Sequence, residues 1–279
     1  MRRFAIVASA VLLSACGVVV QQTQPTPQQV VDTASQKMGQ LRSAKFDLTA
    51  TILEQFPAAF AQSLGPQGAA LQNLSIDLSG KGQISFPDKA AMAVQVKTGS
   101  VSVSTDLVIA AGRIYVKDPQ SGSYVQAQGT GNVSQFTNQT DPLSAAALLK
   151  AAQSVKDLGG TSVGGTAVHH YQIVLDKNKV ADQASTQAAR DLMRQVLQNG
   201  TIQLEAWIGT DDQLLRRVKE DTDARINLGQ LLQTLGSSQL PSGLPIPSDA
   251  TVHTAAHVTI DYHDFNTPVT VSVPSASPS

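Results

Sequence analysis

Apolar and polar residues alternate through much of residues 44–128, with the period of two that is typical of half-buried β-strands. Because one face of each segment is apolar and the other polar, the pattern predicts an antiparallel meander rather than a parallel sheet. We expect the apolar faces to form one wall, made of Phe46, Leu48, Ile52, Leu74, Ile76, Leu78, Met92, Val94, Val96, Val101, Val103, Leu107 and Ile109.

A period near 3.6 residues predicts three longer helices. Pro27 and Pro142 stand where the first and second of them would begin, at positions where a missing backbone N–H does no harm. Asn199 and Gly200 are stop signals after the third. The predicted helices cover residues 28–41, 141–155 and 179–198, and a further short apolar helix is predicted at 226–235.

Alternation returns in the second half of the chain and predicts strands at residues 168–175, 201–208, 213–221, 254–264 and 269–273. Ile202, Leu204 and Ile208 are the apolar positions of the second of these strands, and we expect them to stand behind the wall. So many strands exceed what one flat sheet usually holds. We therefore predict an α+β fold, in which a strongly curved antiparallel sheet, a half-barrel, wraps about three helices.

The N-terminus has the layout of a bacterial secretory signal, because two arginines precede a ten-residue apolar segment at 4–13. That segment is too short to span a hydrocarbon core of ~30 Å. The sequence LSAC at 13–16 matches the lipobox of bacterial lipoproteins, in which the cysteine sulfur is acylated and the chain is cut before it. The alternative is a plain secretion signal with a chance cysteine, but Cys16 is the only cysteine of the chain. We expect Cys16 to anchor the protein to the cell membrane at its extracytoplasmic face.

The expected organisation is a signal peptide at 1–15, a lipidated tether at 16–27, one domain at 28–274 and a disordered tail at 275–279. Removing the signal peptide leaves 18 basic against 21 acidic residues, a net charge of about −3, which argues against nucleic-acid binding. Aromatic residues make up 4% of the chain and leave few stacking platforms for bases or sugars. We expect the protein to be a monomer. Its fold has no internal disulfide, since no second cysteine exists.

Candidate catalytic and metal-binding patterns lack their required context. The sequence GTSVG at 160–164 matches the G-x-S-x-G motif of serine hydrolases, which needs a strand-to-helix turn, whereas here it precedes a predicted strand. Adjacent histidines at 169–170 would point to opposite faces of a strand. His253 and His257 are expected to share a face only on a helix, and their segment is predicted to be a loop and a strand. We therefore expect no enzymatic activity, no metal and no cofactor.

Several segments, taken in order, resemble one known family. The lipobox is followed by a helix and the strand SAKFDLTATI, and DPLSAAALLKAAQSV leads into GGTAVHHYQIVL. The pair TIQLEAWIGTDDQLLRRVKED and the ending HVTIDYHDFNTPVTVSVP complete the set. Over most of residues 28–274 the chain resembles the mycobacterial LppX/LprG lipoprotein family, whose fold is similar to that of the lipoprotein carriers LolA and LolB. Residues 56–72 and 226–248 are long for that family.

The resemblance implies an apolar cavity between strands and helices, and transport of acylated lipids or glycolipids between membrane and cell wall. Moving two sixteen-carbon chains into water would cost roughly 25 kcal/mol, at ~0.8 kcal/mol per CH₂, and an enclosed aliphatic surface offsets that cost. Residues 56–64 and 226–235 are candidate flaps at the cavity mouth, or simply surface helices that cover a sheet edge. The alternative function is a non-enzymatic scaffold or sensor lipoprotein that binds a protein partner and fills its half-barrel with its own side chains.

Overall fold

The computed structural model describes residues 24–63, 65, 68, 72–86, 89–110, 113–126, 142–184, 187–229 and 250–274. The expected signal peptide, Cys16, most of the tether and the tail lie outside the described residues, as do most of residues 226–248. In the described part of the chain, no helix is long and apolar enough to cross a membrane.

Eleven strands of the described residues form one antiparallel sheet, in the order β6-β5-β4-β3-β2-β1-β11-β10-β9-β8-β7. Consecutive strands are neighbours, except that β6 and β7 lie at opposite edges, and β11 pairs with β1 as well as with β10. The two edges are β6 and β7, so the sheet is open, and the predicted half-barrel is confirmed. The strands are β1 (Ser43–Gln55), β2 (Asn73–Ser85), β3 (Lys89–Thr98), β4 (Val101–Ala110), β5 (Arg113–Lys117), β6 (Tyr124–Gln126), β7 (Ala152–Val163), β8 (Thr166–Leu175), β9 (Thr201–Gly209), β10 (Leu215–Asn227) and β11 (Thr251–His263).

The sheet has an apolar and a polar face, because successive side chains along a strand point to opposite sides. The face that carries Phe46 and Leu48 packs against helices, and we call it the inner face. We call the opposite face the outer face. Phe46 lies opposite Tyr262 on β11 and opposite Gly82 on β2. A Cβ atom at Gly82 would lie 2.3 Å from Cζ of Phe46. The phenyl ring thus occupies the space that any larger residue at position 82 would need.

Five helices lie within the described ranges: α1 (Pro27–Met38), α2 (Ala58–Ser63), α3 (Pro142–Lys150), α4 (Lys177–Asp182) and α5 (Gln187–Gln198). Residues 65, 68 and 228–229 are also helical. A capping box starts α1, since the Thr26 hydroxyl accepts from the Gln29 N–H and the Gln29 side chain accepts from the Thr26 N–H. The buried Ser35 hydroxyl donates to the Ala146 carbonyl at 2.8 Å and ties α1 to α3. Both helices pack on the inner face, through a core that includes Val31, Ala34, Met38 and Leu149.

The second predicted helix was too long. The structure ends α3 at Lys150 and begins β7 at Ala152, whereas the sequence pattern continued the helix to residue 155. As an edge strand, β7 pairs only with β8 and exposes most of its side chains. Its sequence therefore lacks the alternation of apolar and polar residues that marks inner strands. Ala151 and Val155 also continue the helical spacing of apolar residues, so the predicted helix extends too far.

Three further expectations need correction. The helix predicted at 179–198 is divided into α4, capped by the Asp176 side chain, and α5. The helix predicted at 226–235 does not start at residue 226: residues 226–227 complete β10, because β11 pairs with β10 as far as residue 227, residues 228–229 are helical, and the remainder lies outside the described residues. Residues 269–273 form no strand, since β1 already has β2 and β11 as neighbours. That segment crosses the outer face instead, where Val271 packs on Val108 and Tyr115.

Candidate functional site

All sixteen predicted wall residues lie on the inner face, as the strand registers show. They differ in exposure. Six are buried in the core cluster that includes α1 and α3: Phe46, Leu48, Met92, Val94, Leu204 and Ile208. Eight are half-buried: Ile52, Leu74, Ile76, Leu78, Val96, Leu107, Ile109 and Ile202. The last two, Val101 and Val103, stand near the start of β4 with 62% and 46% of their surface exposed.

We call these ten half-buried and exposed residues the open band. A row of nine directly opposed residues crosses the inner face through this band, from β4 to β7. At about 4.8 Å between strands, the row extends for about 38 Å along the curved sheet. Its members, in order, are Val103, Val96, Leu78, Ala50, Val258, Glu220, Leu204, Ile173 and Val155. Eight of the nine are aliphatic, and the ninth is an acid.

Val258 and Glu220 are members of this row that the sequence-based wall does not contain. Val258 could have been found, because apolar residues alternate with polar ones in the strand predicted at 254–264. Glu220 gave no signal. Its strand has the sequence LRRVKEDTDARIN, in which both faces carry polar residues, so the alternation does not tell the inner face from the outer.

Glu220 lies in the middle of β10, opposite Leu204 on one side and Val258 on the other. The Thr222 hydroxyl, on the same face, donates a hydrogen bond of 2.9 Å to Oε1 of Glu220. Burial raises the pKa of the Glu220 carboxyl; the Thr222 bond opposes this change and the neighbouring Asp221 adds to it. The side chain is nevertheless half-buried, so part of its surface remains accessible.

The inner face carries few charged groups. Among the described residues that the strand registers place on the inner face of β1–β4 and β8–β11 there is no lysine or arginine; Arg216, at a bulge of β10, has no register partner. The carboxylates on these strands are Glu220 and Glu54, which is the last but one residue of β1. Asp157 of β7 also lies on this face, with its Oδ2 3.1 Å from Nδ1 of His169. Tyr171 also points inward, and burial raises the pKa of its hydroxyl to about 12. A ligand on this face would meet aliphatic side chains and very few charges.

The outer face is polar by contrast. The His170 ring stacks on Trp207 with centroids 4.1 Å apart, and its Nε2 lies 2.6 Å from the Glu205 carboxylate. The Arg217 guanidinium lies 5.7 Å from the Trp207 ring centroid and donates two hydrogen bonds to Asp261, of 2.5 and 2.8 Å. These contacts link β8, β9, β10 and β11 on the outer face, and the Asp261 carboxylate raises the pKa of Arg217.

Two open grooves lie on the outer face, with volumes of about 760 and 390 Å³. Asp47, Lys81 and Lys117 are among the residues that line the larger one, and Asp77 and Lys97 contribute to the smaller. Most residues in both linings are of polar types, and both grooves lie on the outer face, opposite to the face on which the family resemblance implies an apolar cavity. That cavity stays a prediction, and the open band is the surface on which it would lie.

The candidate hydrolase motif ends β7 and enters the turn at Gly164, so its serine stands on a strand rather than at a strand-to-helix turn. His253 and His257 lie together on the outer face of β11, because a strand also brings residues four apart to one face. The expectation that only a helix would do so was wrong. They pair with separate carboxylates, Asp223 at 3.0 Å and Asp221 at 2.7 Å. Within the described ranges, no three His, Cys, Asp or Glu side chains are grouped as metal ligands.

The first candidate flap is represented by α2, which leaves the sheet after β1. Its chain is closed at the base, since the Phe56 N–H donates to the Gln72 carbonyl at 3.0 Å. Phe56 and Phe60 stack with ring centroids 5.8 Å apart. The second candidate flap lies outside the described residues beyond residue 229, and the gating role of both segments stays a prediction.

No family model matches this sequence, and no curated protein matches it. Among solved structures, the chain is similar to LprF from Mycobacterium bovis, with a TM-score of 0.47, 15% identity, and coverage of 90% of this chain and 98% of LprF. It is similar to the lipoprotein LppX from Mycobacterium tuberculosis, with a TM-score of 0.43, 11% identity, and coverage of 90% and 100%. A LolA superfamily protein from Nitrosomonas europaea gives a TM-score of 0.27 at 9% identity, with coverage of 87% and 93%. The first two come from mycobacteria, and the second is named as a lipoprotein.

Proposed function

We propose that this protein is a lipid-anchored, extracytoplasmic lipoprotein that binds acylated lipids or glycolipids against the inner face of its half-barrel and carries them across the cell envelope. The observation that supports this proposal most directly is the open band, an aliphatic surface that the sheet leaves half-buried beyond its core. Val103 and Val101 expose 46% and 62% of their surface at one end of it. Apolar surface of this extent is stabilised by covering it, and acyl chains are a ligand of matching chemistry.

The proposed anchor is the acylated sulfur of Cys16. At no more than about 3.5 Å per residue, the eleven residues at 16–26 allow the start of α1 to stand up to about 40 Å from the membrane. A single acyl chain holds a protein weakly, with K of ~10⁴ M⁻¹, whereas two or more hold it stably. A protein held in this way stays at the membrane while its domain remains free to turn toward donor and acceptor.

Native mass spectrometry tests the binding step. The full chain with Cys16→Ser, which removes the acylated thiol, would be produced in its host and sprayed without detergent. We expect adducts whose masses match acylated lipids or glycolipids. Two neighbouring substitutions on β4 provide a matched pair: Val103→Lys places a charge on the inner face and should abolish the adducts, whereas Ser104→Lys on the outer face should leave them unchanged. An adduct-free protein that also takes nothing from added lipid vesicles would refute the proposal.

The alternative, a scaffold or sensor that binds a protein partner, has its own supporting observation. Phe46, Leu48 and Met92 were predicted as wall, yet each is at most 6% exposed within the core cluster. On that half of the inner face, the protein fills the half-barrel with its own side chains. If the open band were covered in the same way by this chain, no lipid would bind and the adducts would be absent from every variant.

A further inference from the structure

Glu220 stands where an aliphatic residue would be expected. It is the only polar member of the row of nine, and its neighbours across the strands are Leu204 and Val258. Along β10, the preceding inner position is the buried Val218. A carboxyl group in such surroundings is unfavourable unless its oxygens find hydrogen-bond partners.

The accessible part of Glu220 faces the interior of the half-barrel rather than a sheet edge. Between β10 and the edge strand β7 lie β9 and β8, and six strands separate β10 from the edge strand β6. The side chain points inward, and burial is the main cause of its raised pKa, yet the residue is only half-buried. Its exposed surface therefore belongs to the inner face, where the proposed lipid would lie.

The carboxyl group has hydrogen-bonding capacity to spare. Among the described residues, the Thr222 hydroxyl is its hydrogen-bond partner, and that bond uses Oε1. Asp221 and Lys219 are next to it in sequence but lie on the outer face, where they pair with each other at 2.7 Å. No described residue donates a hydrogen bond to Oε2 of Glu220, so with respect to the described residues this oxygen can accept from a ligand on the inner face.

Among the described residues, no cation forms an ion pair with Glu220. On the strands beside it, β9 and β11, the described inner-face positions carry no titratable group except Tyr262, which is four residues from Val258, the residue opposite Glu220. From α5, which lies near β9 and β10, Arg194 pairs with Asp182 and Asp191. Arg190 of α5 donates to the Ala184 carbonyl. An anionic headgroup placed here would meet a carboxyl that has no paired cation in the described part of the chain.

We propose that Glu220 is a specificity-determining residue, which hydrogen-bonds an uncharged hydroxyl of the bound lipid and so selects hydroxyl-bearing, uncharged acylated lipids over anionic ones. This inference rests on the proposed lipid-binding function. The ionised carboxylate accepts a hydrogen bond from a hydroxyl, and the protonated carboxyl both accepts from a hydroxyl and donates to an ester carbonyl. The absence of lysine and arginine from the described inner face of β1–β4 and β8–β11 supports the same preference.

Three fluorescent probes with identical acyl chains test this: an NBD-labelled diacylglycerol, its O-methyl ether, and the corresponding phosphatidic acid. They would be titrated against the full chain carrying Cys16→Ser. We expect the diacylglycerol to bind about three- to tenfold more tightly than the ether, the range that one hydrogen bond accounts for. The affinity for phosphatidic acid should be lower than that for the diacylglycerol by a factor of about ten or more.

Glu220→Leu should remove the preference for the free hydroxyl, and Glu220→Gln should retain part of it, because an amide also accepts and donates. Asp223→Asn, which changes an exposed carboxylate on the outer face of the same strand, should leave all three affinities unchanged. If Glu220→Leu does not fold, the protein with Glu220 intact still tests the inference, through the ratio of its affinities for the two neutral probes.

The outcomes separate the two proposals. If none of the probes binds, the proposed function fails and the role of Glu220 fails with it. If all three bind alike, lipid binding stands and the inference about Glu220 is overturned. A hydroxyl preference that persists undiminished in Glu220→Leu likewise overturns it, because another group would then hold the hydroxyl.

Discussion

Gly82→Ala tests whether the core half of the inner face is filled by protein. The new Cβ atom would lie 2.3 Å from Cζ and 2.6 Å from Cε1 of Phe46, and 3.1 Å from the Ala91 carbonyl oxygen. The ring cannot turn away freely, because Phe46 is 2% exposed and belongs to the core cluster. Overpacking of this kind costs about 1–3 kcal/mol, which for a chain of this size lowers Tm by roughly 2–4 °C for each kcal/mol.

Urea unfolding of four proteins would measure the effect: the starting protein, Gly82→Ala, Phe46→Leu and the double variant. Because leucine vacates the space that the ring occupies, the double variant should be more stable than the sum of the single losses predicts, by about 1 kcal/mol or more. Gly160→Ala is the matched control, since its Cβ would approach nothing closer than 3.9 Å and should change stability little. Unchanged stability in Gly82→Ala, with no coupling to Phe46→Leu, would show that free space extends beside the ring and that the core is not filled there.

Three further results are expected. Because burial holds the folded-state pKa of Glu220 above the ordinary 4.5, the free energy of unfolding should fall as the pH rises from 4.5 through that pKa. This decrease should be missing in Glu220→Gln, and the same pH dependence of the free energy of unfolding in both proteins would contradict the prediction. Ser35→Ala leaves the buried Ala146 carbonyl without its 2.8 Å bond and should cost about 1–3 kcal/mol in urea unfolding, unlike an exposed serine changed in the same way. The sole tryptophan, Trp207, lies on the outer face, so its emission should stay constant when lipid binds, whereas Val103→Trp should add a component that shifts to the blue; a shift from Trp207 itself would place the ligand elsewhere.

The strands that are apolar on one face and polar on the other were predictable from sequence. In β1, Phe46, Leu48 and Ile52 alternate with polar residues, and the alternation predicts a strand at 45–53, which the observed strand extends by only two residues at each end. The pattern failed where that contrast is missing, as in β7, an exposed edge strand, and at Glu220 in β10. Sequence also could not separate core from open band, because both use the same aliphatic residues on the same face. That separation depends on where α1 and α3 pack, which is a matter of tertiary contact rather than period.

The place of β11 has a consequence for biogenesis. Its residues pair with β1 along one side and with β10 along the other, so the last strand to be synthesised joins the two ends of the chain. The pairing with β1 is the distant one in sequence, and such a pairing forms slowly, since a long loop must close before it stabilises anything. If the chain is exported, as the proposed function requires, it would cross the membrane before this pairing exists. Folding would then be completed only after the C-terminal segment has emerged on the far side.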